Sequence, residues 1–379
     1  MTFPFSDLRR WPDLETRELQ AWDAADTLML DEADSLIVGS PVTVIGDSFG
    51  ALTLAAIAAG ATEVRVHQDE LVGELALAAN ARTLGVSAAR YRSMDLGAEL
   101  VAGAKLVLMR LPRSLDELDE IAGVISAHAA PDVVVVAGGR LKHMTVSMNE
   151  VLARHFSRID VTHARQKSRL LIAREPIVAP PVEPRRLWHP ELDLTVVATG
   201  GVFAGPALDQ GTRAMVEVLD QLPPYQRAID LGCGTGIFAA ALARRNLDAE
   251  VLATDQSAAA VTSARLTTAA NDLTVDVTRD DALSRELDGS ADLVLLNPPF
   301  HTGSIVHSGL AQKLFEASAR VLRPGGELWT VWNSHLAYRA QLERIVGPTR
   351  QIARGPKFTV TASTRSSSIS PAMTMASRA

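Results

Sequence analysis

The stretch RAIDLGCGTGIFAAALARR, residues 227–245, decides the fold. The apolar run RAIDL has the composition of a buried strand. Gly232, Gly234 and Gly236 follow, and then an alanine-rich helical segment. Strand, glycine turn and helix in this order form a β-α unit. The glycines let a ligand approach the backbone at the positive end of the helix. The spacing is G-x-G-x-G, which differs from the G-x-G-x-x-G of dinucleotide sites.

Two carboxylates narrow the choice of ligand. Asp255 ends the next apolar run, in EVLATDQS, where a carboxylate at a strand end can bind both hydroxyls of a ribose. Ser257 is positioned to cap the following helix. Asp230 ends the first strand, directly beside the loop. There it repels a pyrophosphate and attracts an ammonium or sulfonium group. S-adenosylmethionine carries both cations and no phosphate, so it is the expected cofactor. Asp280 and Asp281 follow the third strand candidate, and one of them, preferably Asp281, is positioned to accept from an adenine amino group. Cys233 reads as a small residue that fits between the glycines.

Further along, LVLLNPPFHTG (293–303) ends a core strand with a rigid, donor-poor turn. It should be the fourth strand, with its carboxyl end at the same crevice as the glycine loop. The Asn297 side-chain oxygen and the Pro298 carbonyl can both accept from one NH2 group, and the Phe300 ring can stack on the flat group carrying it. Two acceptors holding the hydrogens out of plane free the lone pair of a conjugated amine. Methyl transfer then depends on alignment and electrostatics rather than on a strong base. No Ser-His-Asp or metal constellation is evident, and no metal is expected. His301 and His307 read as structural or solvent-facing residues.

The first half repeats this pattern. VTVIGDSFGALTLAAIAAG (42–60) is again strand, glycine turn and helix, and Asp69 follows Gly50 at the interval by which Asp255 follows Gly236. LVLMRLPRS stands where LVLLNPPFH stands later. The chain therefore reads as a duplicated α/β unit with parallel sheets. The copies differ where chemistry resides: Ser48 replaces Gly234, Val44 replaces Asp230, and Arg110-Leu111-Pro112-Arg113 replaces Asn-Pro-Pro-Phe. Chemistry is thus expected in the second half, with the first a scaffold or recognition domain. The proline-rich REPIVAPPVEPRRLWHPELD (174–193) reads as a linker between them.

Bulk properties agree. The chain has 379 residues, 47% hydrophobic and 21% charged, enough for two globular cores. Its one cysteine excludes a disulfide framework and a Cys-rich zinc site, and a cytoplasmic location is expected. The start, MTFPFSDLRRWPDLETREL, has no apolar core of a signal peptide, and no run is long enough to span a membrane. Against a net charge of −7 stand two basic runs. Residues 140–174 carry Arg140, Lys142, Arg154, Arg158, Arg165, Lys167, Arg169 and Arg174 against Glu150 and Asp160. Residues 339–357 carry Arg339, Arg344, Arg350, Arg354 and Lys357 against Glu343. Both together point to a polyanionic partner.

On these residues the second half resembles the small-domain methyltransferases that modify N2 of guanine in bacterial ribosomal RNA. The matching motifs are DLGCGTG (230–236), Asp255 and NPPFH (297–301). GVFAGPALDQGT (201–212) resembles the family segment that lines the cofactor pocket, with Phe203, Asp209 and Gly211 matching. GGELWTVWNSHLAY and GPKFTV resemble its closing strands. The resemblance implies two tandem Rossmann-like domains of class I methyltransferase type, the N-terminal one degenerate. The expected boundaries are 1–175 for a degenerate RNA-recognition domain, 176–192 for the linker, 193–362 for the catalytic domain and 363–379 for a Ser-rich disordered tail. It also implies S-adenosylmethionine-dependent methylation of a guanine that is unstacked or single-stranded. LQAWDAADTLML and GRLKHMTVS resemble the large-subunit (23S) enzymes more than the small-subunit (16S) ones. Asp281 departs from the Asn frequent in the family. Ribosomal RNA is the expected partner and a monomer the expected state. Two other readings stand beside this one: transfer to adenine N6 or a protein glutamine N5, and a non-catalytic RNA-binding assembly factor.

Overall fold

The computed structural model describes residues 3–16, 19–298 and 305–367, the side chains of 305–308 excepted. The chain divides into two compact units. One comprises Met1–Arg186, Val197–Gly205 and Gln256–Ser263; the other comprises Leu187–Val196, Pro206–Asp255 and Ala264–Ala379.

The first unit contains β1 (Val42–Ile45), β2 (Val64–His67), β3 (Tyr91–Ser93), β4 (Leu106–Arg110), β5 (Val134–Arg140), β6 (Phe156–Val161) and β7 (Ser168–Pro176). Their spatial order is β3-β2-β1-β4-β5-β7-β6. The first five run parallel, and β7 and β6 close the sheet antiparallel. Alternate residues of one strand serve opposite faces. Leu106 and Leu108 of β4 join one core with Met29 and Leu52, whereas Val107 and Met109 join another with Leu118 and Phe156. Both faces are therefore covered, as a parallel sheet requires.

The proline-rich stretch that reads as a linker carries β8 (Arg185–His189), which pairs with β9 (Leu194–Ala198). The second large sheet consists of β10 (Arg227–Leu231), β11 (Glu250–Asp255), β12 (Asp276–Arg279), β13 (Ala291–Leu296), β14 (Leu322–Asn333), β15 (Thr349–Arg354) and β16 (Phe358–Thr364). Its order, β12-β11-β10-β13-β14-β16-β15, repeats the first sheet strand for strand. The last strand runs to Thr364, just past the boundary expected at 362, and most of the Ser-rich tail lies outside the described residues.

The repeat extends to the glycine turns. Gly50 and Gly236 both occupy the left-handed region, with φ of +94° and +75°, at the start of the helices Ala51–Ala58 and Ile237–Arg245. A Cβ on Gly236 would also lie 2.8 Å from the Ala264 Cβ. Only glycine meets both conditions.

Strand register corrects one correspondence drawn from spacing. Ile45 pairs with His67 and Leu231 with Thr254, and the Gly46 and Gly232 amides donate to the carbonyls of those same partners. Gln68, not Asp69, therefore occupies the place of Asp255. The helix after the glycine turn is one residue shorter in the first unit, eight residues against nine, which equal intervals concealed.

The degeneracy of the first unit has a physical form. Its loop has filled itself. The buried Asp47 carboxylate accepts from the amides of Gly50 at 3.1 Å and Thr53 at 2.9 Å. Gln68 Nε2 donates to the Asp47 carbonyl, and Asn80 Nδ2 donates to the Phe49 carbonyl at 2.8 Å. The helix Leu71–Thr83 lies so close that a Cβ on Gly73 would come within 2.7 Å of the Ser48 carbonyl. Donors that could have met a ligand already have partners.

Candidate active site

The second unit keeps its loop open. A Cβ added at Gly232 or Gly234 would meet nothing within 4 Å. Asp255 is half-buried at the end of β11, and one of its oxygens accepts from the Gly234 amide at 3.0 Å. That bond fixes the carboxylate against the loop. Register aligns three residues across adjacent strands. Leu231 of β10 pairs with Thr254 of β11 and with Leu296 of β13. The next positions, Asp255, Gly232 and Asn297, therefore line one edge of the sheet, with neighbouring strands about 4.8 Å apart.

Asp230 is buried two residues before this edge. Its Oδ2 accepts from the Ala239 amide at 2.9 Å, and its Oδ1 is buried with no partner. Burial, reinforced by the nearby charge of Asp255 and opposed by the Ala239 amide, raises its pKa to about 7. A buried carboxylate with an unpaired oxygen suits a cation. Cys233 is buried too, and burial pushes its thiol well above the ordinary value, which leaves it unreactive.

Asn297 is held by a directional network. Asp209 caps the helix Gln210–Val216, its Oδ1 accepting from the amides of Gly211 at 2.7 Å and Thr212 at 3.1 Å. The Thr212 hydroxyl donates to Asp209 Oδ2 at 2.5 Å, so its lone pairs face outward. Asn297 Nδ2 donates to that hydroxyl at 3.2 Å and to Asp209 Oδ2 at 3.5 Å. An acceptor-only carboxylate and a committed hydroxyl fix which end of the amide is which. Asn297 Oδ1 is left buried and unpaired. A Cβ on Gly211 would sit 3.1 Å from that oxygen, so the residue must be small. The edge thus presents one oriented, unsatisfied acceptor, which in a buried site calls for a donor from a ligand.

Other expected residues take varied places. Pro298 is buried directly after Asn297. Pro299, Phe300 and His301, and the side chain of His307, lie outside the described residues. Asp281 Oδ2 accepts from Lys313 Nζ at 2.5 Å, in an ion pair. Asp280 is buried and bonds to the Ser284 hydroxyl at 2.6 Å and the Arg285 amide at 3.2 Å, a local structural role. Ser257 caps its helix, accepting from the Ala260 amide at 3.1 Å. Phe203 lies within Val197–Gly205, a segment of the first unit, and is 74% exposed.

Sequence reasoning missed Thr212 and Lys313. Thr212 had a signal: in DQGT it occupies the third helical position after an aspartate cap. Lys313 had none, because its partner is remote in sequence.

The basic runs are less positive than they read. Arg154 pairs with Asp119, Arg158 and Arg174 pair with Asp160, and Arg350 pairs with Glu327. Among the described residues no helix is long and apolar enough to cross a membrane, and no group of three or more His, Cys, Asp or Glu could hold a metal ion.

Comparison with known proteins gives two family matches. The Methyltransferase small domain matches residues 193–362, and the RLMG N-terminal domain matches residues 1–176. A protein of Pseudomonas aeruginosa named ribosomal RNA large subunit methyltransferase G is 36% identical over 367 residues, covering 94% of this chain and 97% of its own. A protein of the same name from Streptomyces coelicolor is 34% identical over 375 residues, covering 95% and 98%. The solved 16S rRNA N2 guanine methyltransferase RsmC of T. thermophilus, in complex with AdoMet and guanosine, superposes with a TM-score of 0.73. It is 21% identical, with 90% of this chain and 92% of that one covered, and the likeness is one of fold.

Proposed function

The chain belongs to the ribosomal RNA large subunit methyltransferase G family, and from that premise we propose that it methylates the exocyclic N2 amine of a guanine in 23S ribosomal RNA, with S-adenosylmethionine as donor. The observation that carries the reading is the buried, unpaired Oδ1 of Asn297, oriented by Thr212 and Asp209 at the edge shared with the glycine loop. The names of the full-length relatives support the large-subunit substrate.

The residues present fit this cofactor. Asp230 offers an unpartnered buried oxygen to a cationic group, the loop at Gly232 and Gly234 is open, and Asp255 stands at the neighbouring strand end. We assign Asp230, Gly232, Gly234, Gly236, Asp255 and Asp281 to holding it. When bound, it supplies an electrophilic methyl group on sulfur. Asn297 Oδ1 and the Pro298 carbonyl accept the two hydrogens of the incoming amine and turn its lone pair out of conjugation. Phe300 is assigned to stacking on the base. Asp209 and Gly211 act by positioning Asn297. No strong base is needed before transfer, because the alkylated amine loses its proton readily. Residues 193–362 form the catalytic domain and 1–175 the RNA-recognition domain in this reading. The location is cytoplasmic, where ribosomal RNA is modified.

The test is incubation with labelled S-adenosylmethionine and, separately, naked 23S RNA, naked 16S RNA and assembled subunits. Label confined to 23S RNA or large subunits is expected. Label in 16S RNA alone would overturn the substrate assignment.

A further inference from the structure

The repeat makes a position-by-position comparison possible at the end of the sheet where the second unit carries Asn297. Ile45 pairs with Met109 as Leu231 pairs with Leu296, so Arg110 occupies the place of Asn297. Asp23 caps the helix Ala24–Ile37 as Asp209 caps its own, and Asp26 takes the third position as Thr212 does. Arg110 donates to Asp26 at 2.8 Å and 2.9 Å and to Asp23 at 2.9 Å. The network has the same wiring with its polarity reversed. Where the second unit presents an acceptor, the first presents a guanidinium. Three positions on in the sequence, Arg113 corresponds to Phe300.

Beside Arg110 lies a cavity of about 280 Å³, lined by Asp23, Arg113, Arg140, Lys142 and His143 among others. Asp23 is already engaged by Arg110. Among the described residues none of Arg113, Arg140 and Lys142 forms an ion pair with a carboxylate. The Nε of Arg140 is buried and has no hydrogen-bond partner. Arg113 and Lys142 are exposed at the mouth. Desolvation and the neighbouring Arg113, Lys142 and Arg140 hold the His143 imidazole below its ordinary value. Arg113 Nη2 lies 3.5 Å from His143 Nε2; cationic groups without carboxylate partners converging on a cavity are the chemistry of an anion site, and arginine forks match phosphate oxygens.

We propose that the carboxyl end of the first sheet, having lost the amine-gripping residues, binds a phosphodiester group of the RNA substrate through Arg113, Arg140 and Lys142. This rests on the reading of the substrate as RNA. It turns the former active-site end of the degenerate copy into a phosphate anchor. The linear basic run overlaps it only at Arg140 and Lys142.

The test compares the full chain with the double variant Arg113→Ser/Lys142→Ser, using a 23S RNA transcript at several KCl concentrations. Both side chains are exposed, so folding should be kept. The double variant Arg92→Ser/Lys105→Ser, which removes two exposed cations elsewhere in the same unit, is the control. Each lost phosphate contact lowers the salt slope by about 0.7 to 0.9 and weakens binding about 6-fold at 0.1 M salt. The test variant should therefore bind about 40-fold more weakly, with a slope shallower by about 1.5, while the control stays near the parent. Affinity for S-adenosylmethionine should be equal in all three. An unchanged slope in the test variant, or an equal drop in the control, would overturn the proposal. Because the readout is binding, failure here is separable from failure of the methylation reading, which is judged by product.

Discussion

Replacing Thr212 by valine isolates the positioning of Asn297 from its chemistry. The side chains are similar in shape, but valine neither accepts from Asn297 Nδ2, now at 3.2 Å, nor donates to Asp209 Oδ2, now at 2.5 Å. Asn297 keeps only the 3.5 Å contact to Asp209. A hydrogen bond of this kind is worth about 0.5 to 1.5 kcal/mol net. If that energy serves to hold Oδ1 toward the amine, turnover should fall by about 2- to 13-fold. Free rotation of the amide would add to this, because a flipped Asn297 presents a donor to a donor. The half-buried Asp209 carboxylate also loses a partner, so stability should drop by about 1 kcal/mol. Single-turnover methylation at saturating cofactor separates the two effects, with calorimetric titration to check that cofactor affinity is kept. Thr212→Ser restores the hydroxyl and should recover most of the rate. Full turnover in Thr212→Val, with the Asn297→Ala variant inactive, would refute the positioning network.

Three further outcomes are expected. Asp255→Ala removes a charged acceptor worth about 1.5 to 3 kcal/mol, so S-adenosylmethionine should bind about 10- to 150-fold more weakly; unchanged affinity in calorimetry would reject the assignment. Asp230, with a pKa raised to about 7, stabilises the free protein below its unfolded value near 3.8, and that contribution is lost as pH rises through 7. Only its ionised form attracts a cation, so the rise in Tm on adding cofactor should be larger at about pH 8 than at about pH 6, and an equal rise would contradict the role given to its unpaired oxygen. Gly236→Ala forces a left-handed residue against Ala264, costing about 3 kcal/mol; a melting temperature close to the parent would refute that steric argument.

Much of the site was legible because its residues sit at strand ends, where a local motif and a sheet position coincide. Asp255 and Asn297 each follow an apolar run, and parallel register carries them to a common edge beside Gly232, with Asp230 buried just behind it. What was not legible depends on contacts remote in sequence. Thr212 reaches Asn297, Lys313 reaches Asp281 and Arg110 reaches Asp26 only after folding. The slip that puts Gln68 in the place of Asp255 is invisible to spacing, because the helix can be one residue shorter without disturbing either strand. The basic runs overstated the free charge for a related reason: charge counted along the chain ignores carboxylates such as Asp119 and Glu327 that neutralise part of it in space.

The most direct measurement is mass analysis of nucleosides from 23S RNA methylated with trideuteromethyl-labelled S-adenosylmethionine, run with the parent chain and with Asn297→Ala. The parent should yield N2-methylguanosine carrying the label, and the variant none. Labelled N6-methyladenosine in its place, or equal N2-methylguanosine from the variant, would contradict the account.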